Sequence, residues 1–290
     1  MSDFRFDLRV SVRSLLRRKA FCAVVVVTLG LGIGANSAIF SIVNAVLLTP
    51  LPYRAPEELA LIWSRWTNFD QTWICPAEYL DYQRQTQLFA DVAAWGDNGE
   101  VALTGPEGAE SFPVIQMTAN MLDVLGISVA RGRAFVPAED VPNGPQVLMI
   151  GWDLWQGRVR GDPSIVGRTI QVDGASAEVV GVLPRGFRFP LEFQSRITAQ
   201  VVQPLGLERS NPVRGSHGLF GVARLKPGVA AATVTAELGA LASRWTSEGL
   251  YPTAMRFTAF AVPVTEEVRG SAKVALILLA AAVALLLLLT

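Results

Sequence analysis

Apolar positions along the chain fall into distinct regimes. Residues 20–48, AFCAVVVVTLGLGIGANSAIFSIVNAVLL, carry no charged side chain and only Thr28, Asn36, Ser37, Ser41 and Asn44 as clearly polar interruptions. A bilayer core needs about 20 apolar residues in helix, so this run is long enough to span. A second run, VALILLAAAVALLLLLT at 274–290, is also uncharged and stops with the sequence. It reads as a second membrane helix, over 271–290, cut short in a fragment of a longer parent protein.

Between the runs the periodicity alternates between two and near four. Residues 58–63 (ELALIW) predict a strand after Pro50, Pro52 and Pro56, and 76–90 a helix opened by Pro76. Short strands are expected at 91–95, 100–103 and 111–117, then a short helix at 120–125 closed by Gly126. A turn-rich block follows with strands at 146–150, 169–172 and 177–182. Asp173-Gly174 between the last two is a strong hairpin signal. A strand at 219–225, the turn Lys226-Pro227-Gly228 and a helix from Ala230 come next. In that helix Val234, Leu238, Leu241 and Trp245 form one apolar stripe. A last strand at 256–262 leads toward the second run. Strand, helix and strands, a β-rich interruption, then strand, helix and strand predict an α+β domain with a smaller domain inserted.

The N-terminal residues decide how the first run is read. Arg5, Arg9, Arg13 and Arg17 recur every four residues, followed by Arg18 and Lys19. A spacing of four lies along one side of a helix, so residues 1–19 read as a basic amphipathic helix on a membrane surface. A solvated basic face and the charged start of a signal peptide are the other readings of these residues. A signal peptide has an apolar core of only about 7–15 residues, whereas here apolar character resumes after Ala35-Asn36-Ser37-Ala38 with Ile39, Phe40, Ile42 and Val43. A retained helix is therefore expected. The six basic residues before it, against Arg54 alone in 49–60, keep the N-terminus cytoplasmic and send the following domain outside. Arg269 and Lys273, before the second run, mildly oppose that orientation. The arginines then hold the N-terminal helix, 1–19, on the anionic cytoplasmic leaflet, at about 1 kcal/mol per basic residue.

Composition narrows the function. Charged residues are 17% of the chain and the formal net charge is zero. No basic stripe with interleaved aromatics occurs, so nucleic acid is not an expected partner. Cys22 falls in the first run and Cys75 in the outer domain, which rules out an intrachain disulfide in this topology. Gly30-Leu31-Gly32-Ile33-Gly34 lacks the Lys-Ser or Lys-Thr of a phosphate loop. Gly30 and Gly34 instead form a GxxxG, which allows close helix packing, although glycine is also simply common in membrane helices. Asn36 and Asn44, eight apart, share roughly one helix face and read as hydrogen-bonding to a neighbouring span or as exposed near the interface.

Candidates for chemistry are thin. His217 is the only histidine and, between Gly215 and Gly218, reads as a surface residue. Glu57-Glu58, Glu139-Asp140 and Glu266-Glu267 read as solvated pairs. Trp63, Trp66 and Trp73 suit interface anchoring and core packing equally. No catalytic, cofactor or metal site is read, and the chain is not expected to be an enzyme.

Several stretches carry a more specific signal: LRVSVRSLLRRKAF, LGIGANSAIFSIVNAVLLTPLPY, GRAFVPAED, DPSIVGRTIQVDG, VVGVLPRGFRFP and ARLKPGV. In these the chain resembles the N-terminal and periplasmic region of MacB-like and FtsX-like ABC transporter permeases, in particular the large duplicated ones. The resemblance implies a membrane-anchored α+β protein, with two transmembrane helices (20–48 and 271–290) flanking a periplasmic porter-like α/β domain (49–118 and 219–270). A small β-rich subdomain (119–218) is inserted into that domain. The implied function is an export or mechanotransmission permease in the cell inner membrane, driven by a separate ABC ATPase that binds the ATP. Implied partners are that ATPase, membrane lipid, a second permease half or a second copy, and a periplasmic adaptor protein. The alternatives are a membrane-anchored adaptor or sensor without transport and, least supported, an anchored extracytoplasmic enzyme.

Overall fold

The computed structural model describes residues 19–43, 51–85, 87–105, 108–192 and 200–268, with 270 and 281. The chain divides into two compact units, Leu51–Val268 and a second made of Met1–Pro50 with Arg269–Thr290.

In the second unit α1 runs over Lys19–Val43, 25 residues of helix. The hydroxyls of Thr28 and Ser41 donate to the carbonyls of Val24 and Ser37, each at 2.8 Å, so they are satisfied within the helix. Several of its side chains fall outside the described set. Among the described residues no helix is long and apolar enough to cross a membrane. The second apolar run lies almost wholly outside the described residues.

Unit Leu51–Val268 is built on one 11-stranded sheet. In chain order its elements are β1 (Leu59–Trp66), β2 (Phe69–Thr72), α2 (Pro76–Gln83), β3 (Phe89–Gly105), β4 (Gly108–Met117), α3 (Met121–Leu125), β5 (Arg131–Gly132), β6 (Val147–Ile150), α4 (Trp152–Gly157), β7 (Thr169–Val172), β8 (Ala175–Val182), β9 (Val201–Pro204), β10 (Phe220–Leu225), α5 (Ala231–Ser247) and β11 (Thr258–Pro263). The strand order is β11-β1-β10-β3-β4-β9-β6-β8-β5, with β2 paired to β1 and β7 to β3 and β8.

The first four strands of that order, with α2 and α5, form two β-α-β units interleaved as in the split β-α-β arrangement. Strand alternation sorts their side chains. Leu59, Leu61 and Trp63 of β1 face one core together with α3, while Ala60 and Ile62 face another with α2 and α5. The stripe Val234, Leu238, Leu241 and Trp245 is buried there. A third core joins the far halves of β3 and β4 to β6, α4, β7 and β8, and includes Leu148, Leu154 and Trp155.

β3 and β4 carry the sheet from one lobe to the other. Their register shifts between Asp97 and Glu100, so one 17-residue strand stands where two short ones were expected. The helix expected over 76–90 ends at Gln83, because Phe89 already pairs with Leu225. The hairpin expected at Asp173-Gly174 joins β7 to β8 with both residues at positive φ, 49° and 81°, the conformation a type I′ turn requires.

Candidate functional site

Both ends of unit Leu51–Val268 meet at the β1–β11 ribbon. β11 lies antiparallel to β1, with Ala60 opposite Pro263 and Arg65 opposite Thr258. The segment entering β1 and the segment leaving β11 therefore lie at one end of the ribbon. Each is tied down there. Leu51 and Tyr53 are buried, as are Val264 and Val268 beyond β11. The Tyr53 hydroxyl donates to the Arg188 carbonyl at 2.8 Å. Burial, and secondarily the charge of Glu192, push that hydroxyl's pKa far up, which keeps it a donor.

Arg224 of β10 acts as a clamp beneath the entry segment. It is buried, and its guanidinium donates to the carbonyls of Val124 at 2.9 Å and Arg54 at 2.7 Å. A third bond, 3.1 Å, reaches the Glu58 carboxyl. A planar fork with five donors suits this task. Gly126, the C-cap of α3 at φ 68°, lies so close to Arg54 that a Cβ there would collide with its side chain.

The opposite end of the ribbon is pinned by a buried polar network around Glu78. Cys75 caps α2, Pro76 occupies its first turn, and Glu78 reaches back to the Cys75 N–H at 3.2 Å, which makes a capping box. Glu78 is fully buried. Its carboxyl also accepts from Ser64 of β1 at 2.9 Å, from the Tyr251 hydroxyl beyond α5, and pairs with His217 Nε2 at 2.9 Å. Burial first, and then the charge of Glu78, push the Tyr251 hydroxyl far up. The same two causes push the Cys75 thiol up to about 12. Tyr251 stacks on Phe257 at 4.0 Å, and His217 lies against Trp66 at 4.6 Å. One side chain thus ties β1, α2, the loop before β10 and the α5–β11 connection.

His217 is therefore not a free surface residue, as the sequence implied; it is half-buried and held by Glu78. The pair Glu139-Asp140 departs from expectation in the same way. Both are buried: Arg133 grips Glu139 at 2.6 and 2.9 Å, while Asp140 accepts from the backbone N–H groups of Ala119 and Gly206. Trp63 is buried and Trp73 half exposed.

Cys75, Glu78 and His217 also bring their ligand-type atoms within 4.8 Å of one another. The two Glu78 oxygens are already engaged by four partners, and a cation would have to break those bonds. The arrangement is complete as a hydrogen-bond network.

Of the membrane-facing candidates, Arg5, Arg9, Arg13, Arg17, Arg18 and Asn44 lie outside the described residues. Lys19 opens α1 and is exposed; Gly30 and Gly34 are exposed on α1, where an added Cβ would meet nothing within 4 Å. Asn36 is within α1, its side chain outside the described set.

The family model described as the MacB-like periplasmic core domain matches residues 23–241. Among solved structures, the chain is similar to a domain of a permease protein from Porphyromonas gingivalis, with 14% identity, 74% of this chain and 92% of that one covered, and a TM-score of 0.55. It is also similar to the periplasmic region of MacB from Actinobacillus actinomycetemcomitans, with 12% identity, the same two coverages and a TM-score of 0.52. At these identities the likeness is one of fold. No curated protein matches the sequence.

Proposed function

The chain belongs to the MacB-like periplasmic core domain family, and on that premise we propose that it is the permease part of an ABC-type export or mechanotransmission system. In this reading α1 and the run at 271–290 are anchoring spans in the cell inner membrane, the N-terminus is cytoplasmic, and Leu51–Val268 works outside. What supports the first span is the sequence: the run at 20–48 carries no charged side chain and exceeds the about 20 apolar residues that a hydrocarbon core needs. Arg5, Arg9, Arg13, Arg17, Arg18 and Lys19 hold the cytoplasmic end to anionic lipid. Gly30, Gly34, Asn36 and Asn44 pack α1 against a neighbouring span, from this chain or from a second permease half.

A separate ABC ATPase supplies the driving energy, and the chain itself transmits movement instead of catalysing a reaction. The observation that carries the proposal, beside the family match, is the β1–β11 ribbon. Its strands receive the entering and leaving segments at one end through Arg224, Tyr53 and Val264, and are locked at the other through Glu78. A ribbon fixed at both ends passes displacement of the anchoring segments into the sheet without dissipating it in loops. A periplasmic adaptor is a further candidate partner for the outer face.

The test is to isolate the protein from membranes in mild detergent and identify what accompanies it. An ABC ATPase subunit is expected at stoichiometric amount. Its reproducible absence, with the permease intact, overturns the proposal and favours an anchored adaptor or sensor.

A further inference from the structure

A cavity of about 640 Å³ opens in the second lobe, between α4, the loop after it and the β3–β7–β8 face. Its volume lies within the range of small-molecule sites. Its inner wall is apolar: Leu103, Ile150, Leu154, Ile165 and Val179 line it, all buried, with Ile170 half-buried beside them.

The mouth is cationic. Arg158, Arg160 and Arg168 all border it, and they are not equivalent. Arg158 is committed: it pairs with Glu110, donates to the Leu103 carbonyl at 3.1 Å and lies 5.3 Å from the Phe112 ring centroid, bracing the β3–β4 hairpin against α4. Arg168 is committed too, to Asp162 at 3.1 Å. Arg160 is exposed and makes no ion pair among the described residues. It sits at φ 55°, next to Gly161 at φ 70°, a reversal that brings the chain back along the cavity's edge. Among the described residues the mouth therefore carries one positive charge without an ion-pair partner, over an apolar interior.

We propose that this cavity is a binding site for a small amphipathic organic anion, its apolar body lying on Leu154, Ile165 and Ile170 and its acidic head at Arg160. The inference does not rest on the transport reading; it concerns what this lobe binds.

The probe is octanoate, titrated into the full chain held in zwitterionic lipid nanodiscs, with methyl NMR signals of Leu, Ile and Val as the readout. Site-resolved signals separate the cavity from uptake into lipid. Saturable shifts are expected at Leu154, Ile165 and Ile170, with octylammonium binding at least about tenfold more weakly. Arg160→Glu, an exposed substitution, should weaken octanoate about tenfold and bring octylammonium closer to it. Ile170→Trp, which fills the cavity, should abolish the shifts at Leu154 and Ile165 while the remaining methyl spectrum is kept. No saturable shift at these methyls, equal binding of octanoate and octylammonium, or an Arg160→Glu titration identical to that of the parent would overturn the proposal.

Discussion

Replacing Glu78 tests whether the far end of the β1–β11 ribbon is held as described. Leucine at this position fills similar space but accepts nothing, so Ser64, Tyr251, His217 and the Cys75 N–H lose their common partner. Each net hydrogen bond contributes about 1 kcal/mol, and the Cys75 N–H has no rotor with which to seek another acceptor. The sum is about 4 kcal/mol. For a unit of this size each kcal/mol moves the melting temperature by about 2–4 °C, so Glu78→Leu should melt about 8–16 °C lower. Glu78→Gln separates shape from acceptor number. Its oxygen can serve the Cys75 N–H and Ser64, while its amide group donates to the Tyr251 hydroxyl and a histidine nitrogen, both able to accept. That variant should cost about 1–2 kcal/mol, or roughly 2–8 °C. The assay is thermal unfolding followed by tryptophan fluorescence, with all variants in the same detergent. Equal shifts for the two variants, or a Glu78→Leu shift below about 3 °C, would refute the reasoning.

Three further outcomes are expected. The bidentate grip of Arg133 holds Glu139 below the usual carboxylate range, with burial opposing it. A depressed folded value contributes stability above the unfolded value of about 4.3, and that stability is lost as pH falls through the folded value. Glu139→Gln should therefore destabilise at pH 7 and converge on the parent below about pH 4; a constant gap in pH-dependent melts would contradict this. The Cys75 thiol, pushed up to about 12 by burial and then by Glu78, should resist maleimide at pH 7.5 in a Cys22→Ser background until the chain unfolds. Rapid labelling of the folded chain would count against the closed network. Gly132 stands at φ 72°, and a Cβ there would collide with the Val180 carbonyl; Gly132→Ala should cost several kcal/mol, on the order of 2–4, and an unchanged melt would show that β5 yields.

The sequence revealed structure wherever the signal was local. Asp173-Gly174 announced its hairpin because few other pairs take two positive φ values, and Gly126 ended α3 for the same reason. The stripe of α5 was legible because its spacing alone sets one face. β9 had no such signature: four residues, Val201–Pro204, held by parallel pairing to β4 and antiparallel pairing to β6. β3 was expected as two strands, at 91–95 and 100–103, whereas in the sheet a register shift between Asp97 and Glu100 lets one strand run through. The Glu78 network was hidden by distance in sequence, since Ser64, His217 and Tyr251 come together only through tertiary packing. One local sign of it was present: Cys75-Pro76-x-Glu78 has the spacing of a capping box, and the reciprocal bond is what turns Glu78 inward. His217, flanked by small residues, gave no hint of its aromatic neighbours.

The most direct test of the central claim is ATP hydrolysis by the membrane-isolated complex, measured with and without vanadate and compared with the ATPase subunit alone. The account predicts vanadate-sensitive turnover that depends on the permease and changes when Glu78→Leu loosens the ribbon while the complex still assembles. Turnover identical with and without the permease, or indifferent to a loosened ribbon, would contradict it.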